Sequence, residues 1–230
     1  MAIAVAVAAA PTGAAVGAER FDGIGTVHFD SRLTVFDDVV YRQQIAYQDA
    51  VGPQRAYIVE ADLFRSDLKP FVFSGEVRGT ATVGAMVRYA QEQGYQTVAA
   101  INGDIFDTST GTPKGTVIHN GIIVTSGYGP ERVITFDAEG RAAMRHVTLA
   151  YGMKGQIGYI YEGAEIEETF EQRVDFVNVP YGAAQGLHLY NRHYADSTRT
   201  AGSCVEVVVE CGAPENMQLR VNNTITGTVV

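Results

Sequence analysis

Residues 115–149 read GTVIHNGIIVTSGYGPERVITFDAEGRAAMRHVTL and contain two hairpin signals in succession. Apolar β-branched residues lie on both sides of Asn120-Gly121, a dipeptide that favours a tight two-residue hairpin turn. The sequence therefore predicts a hairpin from Gly115 to Val124. A second hairpin is predicted over residues 132–149, with its turn at residues 137–140. Consecutive hairpins indicate an antiparallel sheet.

Further strand-like segments flank this stretch. Runs of β-branched and aromatic residues broken by turn signals predict strands at Thr26–Phe36, Val39–Tyr47, Ala56–Phe64, Leu68–Phe73, Val174–Val179 and Val205–Val209. The Glu-rich run over residues 162–171 is interpreted as a solvated, partly helical segment. The predicted fold class is α+β, with a largely antiparallel or mixed β-sheet and few helices.

A single helix is predicted between these strands. Val83, Met86, Val87 and Ala90 follow the i, i+3, i+4, i+7 spacing of a helix with one apolar face. A threonine at position 82 suits the N-cap, and a glycine at position 94 suits the residue after the C-cap. The apolar run Thr97–Ile101 then predicts a short buried strand that leads into a polar loop.

Composition and charge restrict the class of protein. The chain has 230 residues, 19% of them charged, and contains 25 glycines. A low charged fraction and a high glycine content are typical of a turn-rich globular protein, either one large domain or two small ones. Lys and Arg total 17 against 26 Asp and Glu, so the formal net charge is −9. Because there is also no basic cluster, electrostatic binding of nucleic acid is excluded.

The N-terminal residues 1–18, MAIAVAVAAAPTGAAVGA, are small and apolar. They resemble the apolar core of a secretory signal, and Val16-Gly17-Ala18 fits its cleavage site, although no basic residue follows Met1. An Ala/Gly leader without a targeting role is the alternative. The apolar run stops at Pro11, which is shorter than the ~20 residues of a membrane-spanning helix. We expect a signal peptide over residues 1–18 and a secreted or cell-envelope protein without a membrane span.

Cysteine and histidine spacing predicts neither a disulfide nor a metal site. In an extended strand, Cys204 and Cys211 would lie about 23 Å apart, whereas a disulfide needs Cα atoms within about 7 Å. The five histidines are scattered along the chain. His188 and His193, the closest pair, do not have the spacing of zinc ligands. We therefore expect no metal and no cofactor.

The densest polar segment is Asn102-Gly103-Asp104-Ile105-Phe106-Asp107, directly after an apolar run. A loop at the end of a strand can hold acid and base groups in place. Two carboxylates and an amide there can polarise a leaving oxygen, position water or bind sugar hydroxyls. The same residues also fit an Asx turn followed by a Gly/Pro loop, in which the carboxylates only cap backbone N–H groups. Spacing leaves both interpretations open.

Residues 101–124, INGDIFDTSTGTPKGTVIHNGIIV, resemble the signature of the phosphodiester glycosidase family, bacterial relatives of N-acetylglucosamine-1-phosphodiester α-N-acetylglucosaminidase, the uncovering enzyme. Members show Asn-Gly-Gly/Asp-Phe-Phe, then Thr-Gly-x-Pro-x-Gly, then an Asp-Gly hairpin. The matching positions are Asn102, Gly103, Asp104, Phe106, Thr110, Gly111, Pro113, Gly115 and Gly121. Ile105 replaces the first aromatic residue of the pattern, and Asn120 replaces the aspartate.

The resemblance implies a hydrolase that cleaves a sugar-1-phosphodiester at the anomeric carbon in envelope or extracellular glycans. A phosphate leaves readily, so the site would mainly stabilise an oxocarbenium-like centre and orient a nucleophile. The implied catalytic residues are Asp104 as acid/base or nucleophile, Asn102 as a group that hydrogen-bonds sugar or phosphate, and Asp107 as a supporting carboxylate. The expected partner is a carbohydrate or sugar-phosphate substrate.

Four further residues are candidates for substrate binding: Thr110, Asn178, Asn191 and Arg192. The family also has an Asp-Gly-Gly-Gly-Ser-like loop in a second half, and this sequence contains no such motif. We therefore expect the glycosidase-like domain, residues 19–230, to be incomplete at its C-terminus. The alternatives are a non-catalytic glycan-binding or surface module derived from the same fold, or a structural β-rich domain without a ligand.

Overall fold

A computed structural model describes residues 2–4, 25–36, 39–63, 68–73, 77–128, 131–182, 184–213 and 217–230. Apart from Ala2–Ala4, the predicted leader lies outside these ranges. Within them the chain forms sixteen strands and one helix. The strands are β1 (Ala2–Ala4), β2 (Thr26–Phe36), β3 (Val39–Gln48), β4 (Gly52–Ala61), β5 (Phe71–Phe73), β6 (Ile101–Asn102), β7 (Val117–His119), β8 (Ile122–Thr125), β9 (Glu131–Phe136), β10 (Ala142–Val147), β11 (Tyr151–Tyr161), β12 (Ala164–Val174), β13 (Phe176–Val177), β14 (His188–Leu189), β15 (Val209–Glu210) and β16 (Thr228–Val229). The helix, α1, spans Val83–Glu92.

Antiparallel pairing predominates in these strands. β2, β3 and β4 form a three-stranded meander, and β1 lies between β5 and β6 in a second sheet. Separate antiparallel ribbons are formed by β7–β8, β9–β10, β11–β12 and β15–β16, whereas β13 and β14 pair in parallel. The protein is therefore mainly β-structure in several antiparallel sheets with little helix, as the sequence predicts.

Both hairpins predicted from turn residues are confirmed. Asn120 and Gly121 have φ angles of 47° and 77°, the left-handed values that a tight primed turn requires between β7 and β8. β9 and β10 pair antiparallel along their whole length, with Glu131 opposite Val147 at the open end and Phe136 opposite Ala142 at the turn. At their turn, the Asp137 carboxylate accepts a hydrogen bond from the Arg141 N–H (2.9 Å). Local turn chemistry thus sets the register of both ribbons.

The predicted helix is also confirmed, including both ends. The Thr82 hydroxyl accepts a hydrogen bond from the Ala85 N–H (3.2 Å), which caps the first turn. Met86 and Ala90 are buried, as their helical spacing predicts. Gly94 follows the C-cap with φ of 89°, a conformation that is easiest for glycine.

Four predictions of secondary structure are wrong. The predicted strand Val174–Val179 is divided between the last residue of β12 and the two residues of β13, which pair with different strands. The run Thr97–Ile101 is not a buried strand: pairing begins only at β6, which pairs with β1 at two positions, and Ile101 is 48% exposed. The Glu-rich run is not helical, since β12 pairs with β11 along its whole length. Strand structure within residues 205–210 is restricted to β15, which pairs with β16 at only two positions. In each case strand pairing, which a local pattern does not specify, decides the outcome.

The buried core supports the polar loops. Val77, Val117, Val124 and Tyr194 are buried together, and they bring β7 and β8 against segments that are distant in sequence. Tyr190 packs partly against this cluster. Across the described ranges, no helix is long and apolar enough to cross a membrane. Cys204 and Cys211 are free thiols.

Candidate functional site

The predicted catalytic residues lie at the start of a closed, hairpin-like loop over residues 104–115. The Lys114 N–H donates to the Ile105 carbonyl (2.9 Å), and the Asp107 N–H donates to the Thr112 carbonyl (2.9 Å). At the tip, the Gly111 N–H donates to the Asp107 carbonyl (2.7 Å). The loop therefore has its own backbone ladder, which fixes the positions of its side chains.

Asp104 uses both carboxylate oxygens to hold this loop closed. Oδ1 accepts from the Ile105 N–H (2.7 Å), and Oδ2 accepts from the Gly115 N–H (2.7 Å) at the other end of the loop. Asn102 is exposed at the end of β6, two residues before Asp104, where the loop begins. In the described part of the chain no hydrogen bond joins the side chains of Asn102, Asp104 and Asp107. Asp104 thus occupies the capping geometry of the Asx-turn interpretation.

Asp107 caps the loop tip with a single oxygen. Its Oδ1 accepts from the Ser109 N–H (2.8 Å), the Ser109 hydroxyl and the Thr110 N–H (3.2 Å). Within the described residues, Oδ2 accepts no hydrogen bond. The Ser109 hydroxyl, the two backbone donors and the charge of Lys114 lower the pKa of Asp107 below its ordinary value. The side chain is therefore an ionised carboxylate at neutral pH, and it is in contact with the predicted binding residue Thr110.

Two predicted binding residues, Asn178 and Asn191, form an interlocked pair. The Asn178 amide donates to the Asn191 Oδ1 (2.8 Å) and to the Val124 carbonyl (2.7 Å), and the Asn178 Oδ1 accepts from the Asn191 N–H (3.0 Å). Asn178 is 0% exposed and has φ of 54°, a left-handed conformation that asparagine tolerates. It therefore lies beneath Asn191 and anchors it to β8.

A shallow cavity of about 200 Å³, open to solvent, lies next to this pair. Its walls include the predicted binding residues Asn191 and Arg192 together with Tyr190, Tyr194, Ser197 and Thr198. Tyr190 and Tyr194 pack with ring centroids 4.8 Å apart. The cavity thus combines aromatic surface with an amide, a guanidinium and two hydroxyls. Both aromatic and polar groups are needed to bind a small polar ligand in one orientation.

Residues 77–79 connect the carboxylate loop to the cavity. The Gly79 N–H donates to the Thr110 carbonyl (2.9 Å), while the Arg78 N–H donates to the Tyr194 carbonyl (3.0 Å). The Arg78 guanidinium also donates to the Tyr194 hydroxyl (3.1 Å). Residues 77–79 therefore hydrogen-bond both to the carboxylate loop, at Thr110, and to the cavity wall, at Tyr194.

Tyr128 is joined to the end of the carboxylate loop, since its N–H donates to the Lys114 carbonyl (3.1 Å). Burial, the charge of Asp107 and the neighbouring Tyr194 all raise the pKa of the Tyr128 hydroxyl above its ordinary value. This side chain therefore remains protonated near the Asp107 carboxylate. The sequence patterns indicate none of Arg78, Tyr128 and Tyr194 as a site residue. Tyr128 had one local signal, its position in a Gly-Tyr-Gly run directly after a hairpin.

No family model, curated protein or solved structure matches this chain. The resemblance of residues 101–124 to phosphodiester glycosidases therefore stays a prediction. In the described part of the chain, no group of three or more His, Cys, Asp or Glu side chains could hold a metal ion.

We expect Asn178→Ala to lower the free energy of unfolding by about 2–4 kcal/mol. The change removes three hydrogen bonds from a fully buried residue and leaves the Asn191 N–H without its acceptor. Urea denaturation measures the loss. Asn222→Ala is the matched control, because Asn222 has a similar φ of 59° but is exposed. If both variants lose equal stability, the backbone conformation alone is responsible and the buried amide contributes nothing.

Two half-buried histidines make stability depend on pH near neutrality. His119 Nε2 and His193 Nε2 are buried and, among the described residues, have no hydrogen-bond partner. Burial lowers the pKa of both imidazoles, and for His193 the charges of Arg192 and His119 lower it further. Because the unfolded chain binds protons at higher pH than the folded chain does, protonation favours unfolding.

The contribution of these histidines to the free energy of unfolding is therefore fully present above the pKa of histidine in the unfolded chain, about 6.5. It is lost as the pH falls from there through the lowered pKa of each histidine in the folded chain. We expect the free energy of unfolding, measured by urea denaturation, to decrease between pH 7.5 and pH 5. The double variant His119→Gln/His193→Gln should show a flatter dependence over this interval. An equal slope in the double variant would contradict the assignment to His119 and His193.

Proposed function

We propose that this chain is an α+β, exported hydrolase domain that cleaves a sugar-1-phosphodiester at the anomeric carbon. One observation carries the proposal: an ionised carboxylate, Asp107, is held on a motif that resembles phosphodiester glycosidases, and its Oδ2 accepts no hydrogen bond among the described residues. The substrate class follows from the resemblance, as does action on envelope or extracellular glycans. The net charge of −9 argues against nucleic acid as the ligand.

Asp107 is better placed than Asp104 to act on the substrate. Both Asp104 oxygens accept backbone hydrogen bonds, whereas Asp107 binds its loop through Oδ1 alone. In the proposed reaction the bond from the anomeric carbon to the phosphate oxygen breaks, and a water oxygen binds the anomeric carbon. Asp107 Oδ2 takes the proton from that water, and the phosphate leaves with its bridging oxygen. Asn102, exposed beside the loop, donates to the sugar or the phosphate.

Incubation with an N-acetylglucosamine-1-phosphodiester model compound tests the proposal. The expected result is release of free sugar and phosphomonoester in equal amounts. A folded chain that releases neither product would overturn the proposed activity. Folding is checked by circular dichroism on the same sample, so that an inactive but folded protein is distinguished from an unfolded one.

A second candidate function is glycan binding without catalysis. It is favoured by the capping role of Asp104, since both of its oxygens are already used inside the loop. This candidate predicts that the same model compound binds, as measured by isothermal titration calorimetry, and is recovered intact. Binding with turnover would contradict it.

A further inference from the structure

The sequence contains two Asn-Gly dipeptides, and the structure places them in different surroundings. Asn120-Gly121 forms the turn between β7 and β8, whereas Asn102-Gly103 lies at the end of β6, where the polar segment begins. Asn-Gly is the dipeptide most prone to lose ammonia, because glycine has no side chain to shield its backbone nitrogen from the asparagine side chain. The reaction also needs rotation of the peptide between the two residues, so its rate in a folded chain depends on how firmly that peptide is held.

Few interactions hold Asn102-Gly103 in place. Both residues are exposed, and within the described part of the chain neither the Asn102 side chain nor the Gly103 N–H forms a hydrogen bond. β6 is two residues long and lies at the edge of its sheet, where it pairs with β1 at only two positions. Rotation of the peptide between Asn102 and Gly103 therefore disturbs little of the fold.

Asn120-Gly121 is held more firmly, although Asn120 is exposed as well. The Asn120 carbonyl accepts from the Arg220 guanidinium (3.1 Å), and the Gly121 carbonyl accepts from the Val221 N–H (2.9 Å). Both residues also have the left-handed φ angles that the turn requires. The same peptide rotation at Asn120 would break the hydrogen bond from Arg220 and distort the turn, at a cost of about 1–3 kcal/mol.

We propose that Asn102-Gly103 is a site of spontaneous deamidation in the folded protein, and that the fold protects Asn120-Gly121 from the same reaction. The Gly103 backbone nitrogen loses its proton and bonds to Asn102 Cγ, the bond from Cγ to Nδ2 breaks, and Nδ2 takes up a proton and leaves as ammonia. Water then opens the cyclic imide at either of its carbonyl groups. The product has aspartate or isoaspartate at position 102, and water is the only co-reactant.

Deamidation changes the charge of the proposed site. It removes the Asn102 amide and adds a carboxylate two residues before Asp104. The effect on turnover rests on the proposed function, in which that amide donates to the sugar or the phosphate. A carboxylate at position 102 loses the donor and repels a phosphodiester, so the affinity for substrate falls as the protein ages. Asn102→Asp, which reproduces one of the two products, should raise KM at least about tenfold.

Peptide mass spectrometry of the full chain, incubated at mildly alkaline pH, tests the modification without a measurement of activity. Trypsin separates the two dipeptides: residues 89–114 contain Asn102 as their only asparagine, and residues 115–132 contain Asn120 as theirs. The same incubation in urea gives the deamidation rate of each dipeptide without the fold. We expect folding to slow the reaction less than about threefold at Asn102 and at least about tenfold at Asn120.

Equal protection of the two dipeptides by folding would overturn the proposal, as would a peptide 89–114 that stays unmodified in the folded chain. Asn102→Gln is the matched variant, because the larger imide ring of glutamine forms far more slowly. Its peptide 89–114 should stay unmodified; a mass change there would assign the reaction to the glutamines of that peptide and contradict the proposal. Deamidation without loss of turnover would refute only the role of Asn102 in substrate binding, and fresh protein without turnover would refute only the hydrolase.

Discussion

Asp107→Asn should lower kcat for hydrolysis of the sugar-1-phosphodiester by at least about 100-fold. Asparagine keeps an Oδ1 that can accept from the Ser109 and Thr110 N–H groups, so the loop tip remains capped. The substitution removes the negative charge and replaces Oδ2, the oxygen to which we assign the proton of the attacking water. The effect should therefore appear in kcat, with thermal stability close to that of the wild type.

Asp137→Asn is the matched control for this variant. Asp137 is an exposed aspartate whose Oδ1, like that of Asp107, caps a turn, accepting from the Glu139 and Arg141 N–H groups, and hydrogen bonds likewise lower its pKa. It lies at the tip of the β9–β10 ribbon, which contributes no residue to the cavity. Its substitution should leave kcat unchanged. If Asp107→Asn retains wild-type kcat, Asp107 is only a turn cap.

Gly111→Ala is expected to lower the free energy of unfolding by about 3 kcal/mol or more. A Cβ at position 111 would lie 2.0 Å from the Gly79 carbonyl oxygen and 2.3 Å from its carbon, distances at which backbone must move. The φ angle of 77° adds strain for any residue other than glycine. Because Gly79 also donates to the Thr110 carbonyl, the movement separates the loop from residues 77–79. Turnover should therefore fall together with stability.

Gly121→Ala separates the steric clash at position 111 from the backbone strain of a positive φ angle. Gly121 has the same φ of 77°, but a Cβ there would meet no atom within 4 Å. It should cost about 1–2 kcal/mol, the typical penalty for a left-handed alanine. Denaturant titration of both variants gives the difference. Equal losses would show that the approach of Gly79 to Gly111 does not constrain the loop.

Features that depend on neighbouring residues could be predicted from the sequence. Asn120-Gly121 specifies the β7–β8 turn through its own backbone preferences, and Thr82 and Gly94 mark the ends of α1 through capping chemistry. The polar segment around Asp104 could be recognised for the same reason. Such signals act over a few residues, so one sequence is enough to find them.

Features that depend on distant pairing could not be predicted in this way. The hydrogen bond from Arg78 to the Tyr194 hydroxyl joins residues separated by 116 positions, and no local pattern indicates it. The Glu-rich run forms β12 because β11 offers a complete partner strand, which overrides the helical preference of glutamate. Likewise, both Asp104 oxygens accept hydrogen bonds, from the Ile105 and Gly115 N–H groups, because the loop closes.

The central claim, cleavage at the anomeric carbon, is tested most directly by hydrolysis of the model phosphodiester in water enriched in oxygen-18. Mass spectrometry of the phosphomonoester gives the answer, since its oxygens do not exchange with solvent under mild conditions. If the bond between the anomeric carbon and oxygen breaks, the phosphomonoester carries no label and the water oxygen enters the sugar. A phosphomonoester that carries oxygen-18 would show cleavage at phosphorus and would contradict the glycosidase mechanism.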